Sequence, residues 1–108
     1  MKCYISLPIT GYDLDERRKT AARIEAKLQG LGFETVNPMS KGLPDDAPYS
    51  EHMRQDLKLL LDCDHIYPAK GWENSGGCRL EVEVAMKCGL KMIVNDFNLH
   101  PTWISSIR

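Results

Sequence analysis

The hydrophobic pattern of the chain changes its period several times, and these changes predict alternating strands and helices. Four short, mostly apolar segments have the features of strands, at residues 2–7, 33–36, 65–69 and 91–95. The first of them is apolar almost throughout, which is typical of a strand that is covered on both faces. Pro8 and the Asn37-Pro38 pair end the first two strands.

Three helices are predicted between these strands, at residues 13–30, 50–63 and 76–88. Asp13 followed by Glu16 has the spacing of a capping box, and Gly30 and Gly32 end the first helix. Its charged residues, Arg17 among them, mostly occupy the side opposite an apolar stripe. That stripe consists of Leu14, Ala21, Ile24, Leu28 and Leu31. The stripe of the second helix consists of Met53, Leu57, Leu60 and Leu61.

Strand and helix alternate along nearly the whole chain, which indicates an α/β fold. We expect a single domain over residues 1–108, a small doubly wound (flavodoxin- or Rossmann-like) parallel sheet of four or five strands with helices on both faces. The tail, residues 96–108, is expected to form a short closing helix. Ligands of such folds bind beyond the carboxyl ends of the strands, so the chemistry is expected in the loops at residues 8–12, 37–49 and 68–77.

The third helix carries a carboxylate where its pattern requires an apolar residue. At about 100° per residue, Glu81 falls on the side that is expected to face the sheet. Glu83 lies on the opposite side, where surface ion pairs explain it. The residues on the same side as Glu81 are Gly77, Val84, Ala85 and Cys88. A buried carboxylate is costly without a partner, so Glu81 either lines a pocket or bends to solvent or a lysine.

A second acidic residue, Asp56, sits at the edge of the apolar stripe of the preceding helix. Alone, such a position is typical of a solvated flank. Two inward carboxylates from different helices are the pair that cleavage of a glycosidic carbon requires. One attacks or stabilises the anomeric carbon, and the other handles hydroxyl groups or protons.

The segment before the third helix has the form of an anion-binding turn. Ser75 is a predicted N-cap, and the bare backbone N–H groups of Gly76 and Gly77 attract phosphate, although a plain turn with a cap explains the same residues. Tyr12 and Trp72 fit stacking on a base and packing in the core equally well. A second cradle for phosphate or sugar is the first loop, with Pro8, Ile9, Thr10 and Gly11.

Composition limits the functions that the chain can have. It has 14 Lys and Arg against 15 Asp and Glu and no basic block, so we expect no nucleic-acid binding. No apolar run approaches the length of a membrane span, and no signal peptide is evident. The cysteines lack zinc-site spacing and lie mostly in apolar stretches, so we expect reduced thiols, no metal and a cytoplasmic protein. They are Cys3, Cys63, Cys78 and Cys88.

Four segments occur in a characteristic order: YISLPITG at the start, NP after the second strand, DLKLLLDCD, and GWENSGGCRLEVEVA. Together they resemble the nucleoside 2-deoxyribosyltransferase superfamily. The similarity is greatest to its small phage and bacterial branch and to the related 2'-deoxynucleoside 5'-phosphate N-hydrolases. It extends from residue 1 to about residue 95, nearly the whole chain.

The resemblance implies roles for individual residues. Glu81, with Ala85 four positions later, takes the place of the superfamily's nucleophile. Asp56, which opens the DLKLLL segment, takes that of an aspartate that contacts the sugar and assists proton transfer. Ser75 stands where many transferases have an aspartate and the hydrolases a serine that binds the 5'-phosphate. The expected substrate-binding residues are Tyr4, Pro8, Ile9, Thr10, Gly11, Trp72, Asn74, Ser75, Gly76 and Gly77.

Two departures from the family pattern leave parts of the site open. The hydrolases carry an arginine in the first loop where this chain has Thr10, so the requirement for a 5'-phosphate stays undecided. The transferases often complete the pocket with an asparagine from a neighbouring subunit, and Asn95 or Asn98 would be that residue here. We therefore expect a homodimer or a larger homo-oligomer.

These observations predict an enzyme that cleaves the N-glycosidic bond of a (deoxy)nucleoside or its 5'-monophosphate through a covalent glycosyl-glutamate, without a cofactor. Water as the acceptor makes it a hydrolase, and a second base makes it a transferase. One alternative is a module of the same fold that senses a nucleotide without turning it over. Another is a structural subunit whose tail, with Trp103 and Ile104, packs on a partner.

Overall fold

The computed structural model describes residues 1–40 and 42–93 and the backbone of residues 104–106. In it strands and helices alternate as the sequence predicts. The strands are β1 (Lys2–Ser6), β2 (Glu34–Val36), β3 (His65–Pro68), β4 (Lys91–Ile93) and β5 (Ile104–Ser106). The helices are α1 (Leu14–Gly30), α2 (Tyr49–Leu61) and α3 (Gly76–Lys87), with short 3-10 helices at Pro38–Ser40 and Trp72–Asn74. None of the helices in these described ranges is long and apolar enough to cross a membrane.

The described strands form one sheet in the order β2-β1-β3-β4-β5. β1 pairs in parallel with β2 and with β3, and β3 pairs in parallel with β4, which confirms the doubly wound arrangement. β5 runs antiparallel to β4, with Ile104 opposite Ile93. The helix expected in the tail is therefore wrong at residues 104–106, where pairing with β4 covers an edge that would otherwise expose unpaired backbone groups. The other tail residues lie outside the described part of the chain.

Helices cover both faces of the sheet. Successive residues of β1 point in opposite directions, so neighbouring residues contact different helices. Cys3 and Ile5 face α1, whereas Tyr4 faces α2 and α3. The buried cluster on the α1 side contains Cys3, Ile5, Leu7, Ala21, Ile24, Leu28, Tyr67, Ala69 and Ile93. The buried cluster on the other side contains Tyr4, Val36, Leu60, Cys63, Ile66, Val82, Ala85 and Leu90.

The predicted ends of α1 are confirmed. The Asp13 carboxylate accepts a hydrogen bond from the backbone N–H of Glu16 at 2.9 Å, so Asp13 is the N-cap. Gly32 follows the helix with a φ of +96°, a left-handed conformation that a residue with a Cβ rarely adopts.

Arg17 is buried, and its sequence-based assignment to the charged outer side of α1 is wrong. Its guanidinium lies over the ring of Tyr12, with Cζ 4.1 Å from the ring centroid. It also donates to the backbone carbonyl of Pro8 at 3.2 Å and forms two hydrogen bonds with the carboxylate of Glu16. Burial of this charge is offset by those partners, and the result is that the first loop is fixed to α1.

Three residues assigned to inner stripes are exposed, and the first of them, Leu31, caps the end of α1. Leu61 is 53% exposed because α2 ends at that residue, and Cys88 is exposed because it caps the end of α3. Val82, on the other hand, is buried in the α3 face. Cys3, Cys63 and Cys78 are buried, as expected for small core residues, and all four cysteines are free thiols.

The contrast between Leu60 and Leu61 yields a stability prediction. Leu60 is fully buried, so Leu60→Ala should lower the free energy of unfolding by about 2–5 kcal/mol, the loss of transfer energy plus a cavity. Leu61→Ala, at the exposed neighbour, should change it by less than about 0.5 kcal/mol. Urea denaturation followed by circular dichroism measures both. Equal losses in the two variants would contradict this packing.

Candidate active site

A cavity of about 610 Å³ opens at the carboxyl ends of β1 and β3. The chain leaves β1 towards β2 on one side and later returns to β3 on the other, so the crevice lies at the point where the strand order reverses. Its size suits a small organic ligand. The three loops that the sequence predicts to carry the chemistry meet around it.

Glu81 lies on the inner side of α3, only 5% exposed, and borders this cavity. Tyr4 Oη donates to its Oε2 at 2.7 Å, and Ser6 Oγ donates to its Oε1 at 2.7 Å. Both donors belong to β1, where residues two apart share one face of the sheet. The two hydroxyl groups therefore fix both oxygens of a carboxylate that would otherwise be buried without partners.

The surroundings of Glu81 move its proton equilibrium towards neutral pH. The pKa of Glu81 is raised to about 7: burial raises it most, the hydrogen bonds from Ser6 and Tyr4 oppose the increase, and the charge of Asp56 adds to it. Burial likewise raises the pKa of Tyr4 well above its usual value, so Tyr4 stays a hydroxyl donor. A carboxyl group that ionises near pH 7 within a cavity is typical of a reacting group.

Asp56 is half-buried on α2 and lines the same cavity. Burial raises the pKa of Asp56 to about 6, and the neighbouring His52 opposes the increase. The charge of Asp56 in turn acts on Glu81 and on Tyr4. The structure thus brings together the two carboxyl groups that the sequence singled out, each with a pKa above its ordinary range.

The start of α3 forms another part of the cavity wall, with Asn74, Ser75, Gly76 and Gly77. Ser75 is the N-cap, as predicted, and its Oγ accepts from the backbone N–H of Cys78 at 3.3 Å. The first N–H groups of a helix have no partner within the helix, and they favour an anionic or polar ligand group. A Cβ at Gly77 would lie 3.0 Å from Tyr49 Oη, so the end of the Tyr49 side chain reaches the start of α3.

Most of the predicted substrate-binding residues border the cavity, and three do not. Pro8, Ile9 and Thr10 line it together with the residues at the start of α3. Tyr4 lies beneath it and contacts Glu81, and Gly11 is an exposed turn residue with a φ of +88°. Trp72 packs against the second core cluster, which favours the packing interpretation of this residue. Asn95, Asn98 and Trp103 lie outside the described residues.

The structure adds residues that the sequence analysis did not assign to the site. Ser6 had a usable signal, because a serine two residues from Tyr4 in a buried strand shares its face. His52 and Tyr49 line the cavity from α2, but they have no spacing that distinguishes them from surface residues. Arg18 and Asp45 come from α1 and from a loop 27 residues later, so only the fold brings them together.

Arg18 and Asp45 form a paired contact at the cavity. Arg18 Nη2 donates to both carboxylate oxygens of Asp45, each at 2.8 Å, and Nη1 donates to Asp15 Oδ1 at 3.2 Å. The hydrogen bond and charge of Asp45 raise the pKa of Arg18. This pair links α1 to the loop before α2.

Comparison with known proteins gives one family and two related structures. The family model described as "Domain of unknown function (DUF4406)" matches residues 1–94. The 2-deoxyribosyltransferase of the psychrotolerant bacterium Bacillus psychrosaccharolyticus is similar in structure, with a TM-score of 0.66 and 18% identity over 86% of this chain and 70% of that one. The Clostridium botulinum CMP N-glycosidase BcmB gives a TM-score of 0.59 and 18% identity, covering 86% of this chain and 69% of its own.

Comparison with curated protein sequences returns no match. The two structural similarities confirm, at the level of the fold, the resemblance read from the four sequence segments. At 18% identity they establish the doubly wound arrangement. The chemistry of this chain must be argued from its own residues.

The raised pKa of Glu81 predicts how stability depends on pH. Its carboxyl group ionises near pH 4.5 in an ordinary setting and at about 7 in the folded protein, so between these values the folded state holds more protons than the unfolded state. Stability should therefore fall as the pH rises from 4.5 to 7, by on the order of 3 kcal/mol. Asp56 contributes in the same direction between 3.8 and about 6.

Glu81→Gln should reduce this decrease to the part due to Asp56, because glutamine does not titrate. Glu83→Gln, which removes an exposed carboxylate two residues further along the same helix, should keep the wild-type profile. The free energy of unfolding measured in urea at pH 5 and pH 8 makes the comparison. An unchanged profile in Glu81→Gln would rule out the buried carboxylate as its source.

Proposed function

The chain belongs to the DUF4406 family, and for this chain we propose cleavage of the N-glycosidic bond of a nucleoside or nucleotide. The observation that carries the proposal is Glu81, a buried carboxylate whose oxygens are both held by hydroxyl groups and which borders a cavity shared with Asp56. Two carboxyl groups in one pocket are the recurring arrangement for cleaving a glycosidic carbon. The similar folds of a 2-deoxyribosyltransferase and a CMP N-glycosidase support the same chemistry.

In the first step, one carboxylate oxygen of Glu81 attacks C1' of the sugar. The bond between C1' and the base nitrogen breaks, its electron pair leaves with the base, and the transition state resembles an oxocarbenium ion. The product is a covalent glycosyl-enzyme ester. Tyr4 and Ser6 hold the carboxylate in one orientation beforehand, so little ordering remains for the reaction itself.

Asp56 handles the proton and the sugar hydroxyl. With a pKa raised to about 6, it passes between its acidic and basic forms close to neutral pH, as a general acid and base must. In the second step water or another base attacks C1', the ester bond breaks and the Glu81 carboxylate returns. The first acceptor gives hydrolysis, and the second gives transfer of the sugar.

The remaining walls of the cavity bind and orient the substrate. Ser75 and the N–H groups of Gly76 and Gly77 hold the 5' end of the sugar, and the first loop, with Pro8, Ile9 and Thr10, closes over it. No step of this reaction needs a metal or an organic cofactor. A homo-oligomer that completes the pocket and a cytoplasmic location remain predictions from the sequence.

Substitution of Glu81 tests the assignment. Glu81→Gln and Glu81→Ala should lower base release on the order of a thousandfold or more, because the nucleophile is gone. The far-ultraviolet circular dichroism spectrum should stay that of the folded chain. Glu83→Gln, on the outer side of the same helix, is the matched control and should keep wild-type activity. Chromatography of free base from a panel of nucleosides and 5'-monophosphates is the assay.

Mass spectrometry of an acid-quenched reaction should find one added sugar on Glu81 and none in Glu81→Gln. Activity in Glu81→Gln equal to that of wild type would refute the nucleophile. Binding of the panel without any base release would support the sensing module instead.

Asp56 and Tyr4 give separate kinetic signatures, one in kcat and one in the pH dependence of kcat/KM. Asp56→Asn should lower kcat by about 10²–10⁴-fold, the usual contribution of a general acid or base.

Because Glu81 must be ionised to attack, kcat/KM should decrease as the pH falls through about 7. Tyr4→Phe removes a hydrogen bond that lowers the pKa of Glu81, so this decrease should begin at a higher pH. An acid limb that stays in place in Tyr4→Phe would contradict the role given to Tyr4.

A further inference from the structure

Among the described residues that line the cavity, Arg18 is the one guanidinium or ammonium group, and it already has a carboxylate partner. The other charged groups in the lining are the carboxyl groups of Asp45, Asp56 and Glu81, and His52 is the remaining basic side chain. With Arg18 paired to Asp45, none of the lining residues in the described ranges 1–40 and 42–93 offers a phosphate group a free side-chain cation. The two carboxyl groups near the reacting centre repel such a group further.

Asp45 contacts Arg18 in the way a phosphate would. Both carboxylate oxygens accept from Nη2 at 2.8 Å, and phosphate oxygens likewise bind the N–H groups along the edge of a guanidinium. A 5'-phosphate that takes the N–H groups of Arg18 Nη2 must therefore displace Asp45 and then lie beside the displaced carboxylate. The N–H groups at the start of α3 favour an anion, but they do not remove this competitor.

We propose that Asp45, by occupying Arg18, makes the cavity prefer substrates with an uncharged 5' hydroxyl group over the corresponding 5'-monophosphates. The inference rests on the proposed function for the identity of the ligand. Asp45 and Arg18 are in this view specificity-determining residues. They decide which 5' end is accepted and take no part in breaking the glycosidic bond.

The chain offers a matched pair of variants for the test. Asp45→Asn removes the competing charge within the cavity and keeps the size of the side chain. Asp15→Asn removes the same charge from the other partner of Arg18, at 3.2 Å, and Asp15 is not part of the cavity wall. Arg18→Gln combined with Asp45→Asn removes the cation that the first substitution sets free.

The measurement is equilibrium dialysis of the four 2'-deoxynucleosides and their 5'-monophosphates, with each variant built on Glu81→Gln so that no ligand is consumed. The protein with Glu81→Gln alone should bind each nucleoside more tightly than the corresponding 5'-monophosphate. Asp45→Asn should shift the affinity ratio towards the monophosphates on the order of fivefold, the scale of one partly exposed ion pair. Asp15→Asn should leave the ratio unchanged, and adding Arg18→Gln should return it to its starting value.

Several outcomes overturn the inference: a preference for monophosphates without the Asp45 substitution, an equal shift in Asp15→Asn, no shift in Asp45→Asn, or no binding of any of the eight ligands. Base release by the wild type is assayed in parallel. If the ratio shifts as expected but no base is released from any ligand, the proposed reaction fails and the role of Asp45 stands. If base is released and the ratio does not shift, the reaction stands and the role of Asp45 fails.

Discussion

The two hydrogen bonds that Glu81 accepts from Tyr4 and Ser6 connect strand β1 to α3 and to the wall of the cavity. Without them the carboxylate would be buried and unpartnered, an arrangement that destabilises a folded chain strongly. With them, burial and hydrogen bonding act on its pKa in opposite directions, and the result is a group that ionises near pH 7. The same contacts thus make the acid tolerable to the fold and suited to chemistry.

Strand β1 serves both stability and the site because its residues alternate between two faces. Cys3 and Ile5 pack with the cluster beneath α1, whereas Tyr4 and Ser6 face α3 and the acid. A shift of one residue in the pairing of β1 would exchange these two sets. The parallel neighbours on both sides of β1 fix its register, and they thereby fix the position of the donors to Glu81.

Two consecutive arginines of α1 have different tasks in the folded chain. Arg17 is buried and joins the first loop to the helix through Tyr12 and the carbonyl of Pro8. Arg18 points to the cavity and pairs with Asp45. Successive residues on a helix differ in direction by about 100°, so neighbours in the sequence can belong to the core and to the ligand site respectively.

The alternation of strands and helices, the caps Asp13 and Ser75, and the place of Glu81 on the sheet-facing stripe of α3 followed from the sequence, because they depend on local periodicity and on short-range hydrogen bonds. Whether the Glu81 carboxylate stays on that side or bends to solvent was left open by the pattern and decided by the fold. The partners of Glu81 did not, since 77 and 75 residues separate it from Tyr4 and Ser6. Burial of Arg17, pairing of Arg18 with Asp45 and the antiparallel β5 likewise depend on contacts between distant segments. The sequence by itself determined the elements and most of their inner faces, although Arg17 is buried and Leu31, Leu61 and Cys88 are exposed against the pattern. The tertiary structure decided which inward residues meet, because distances across a sheet and a cavity are set by packing and not by spacing along the chain.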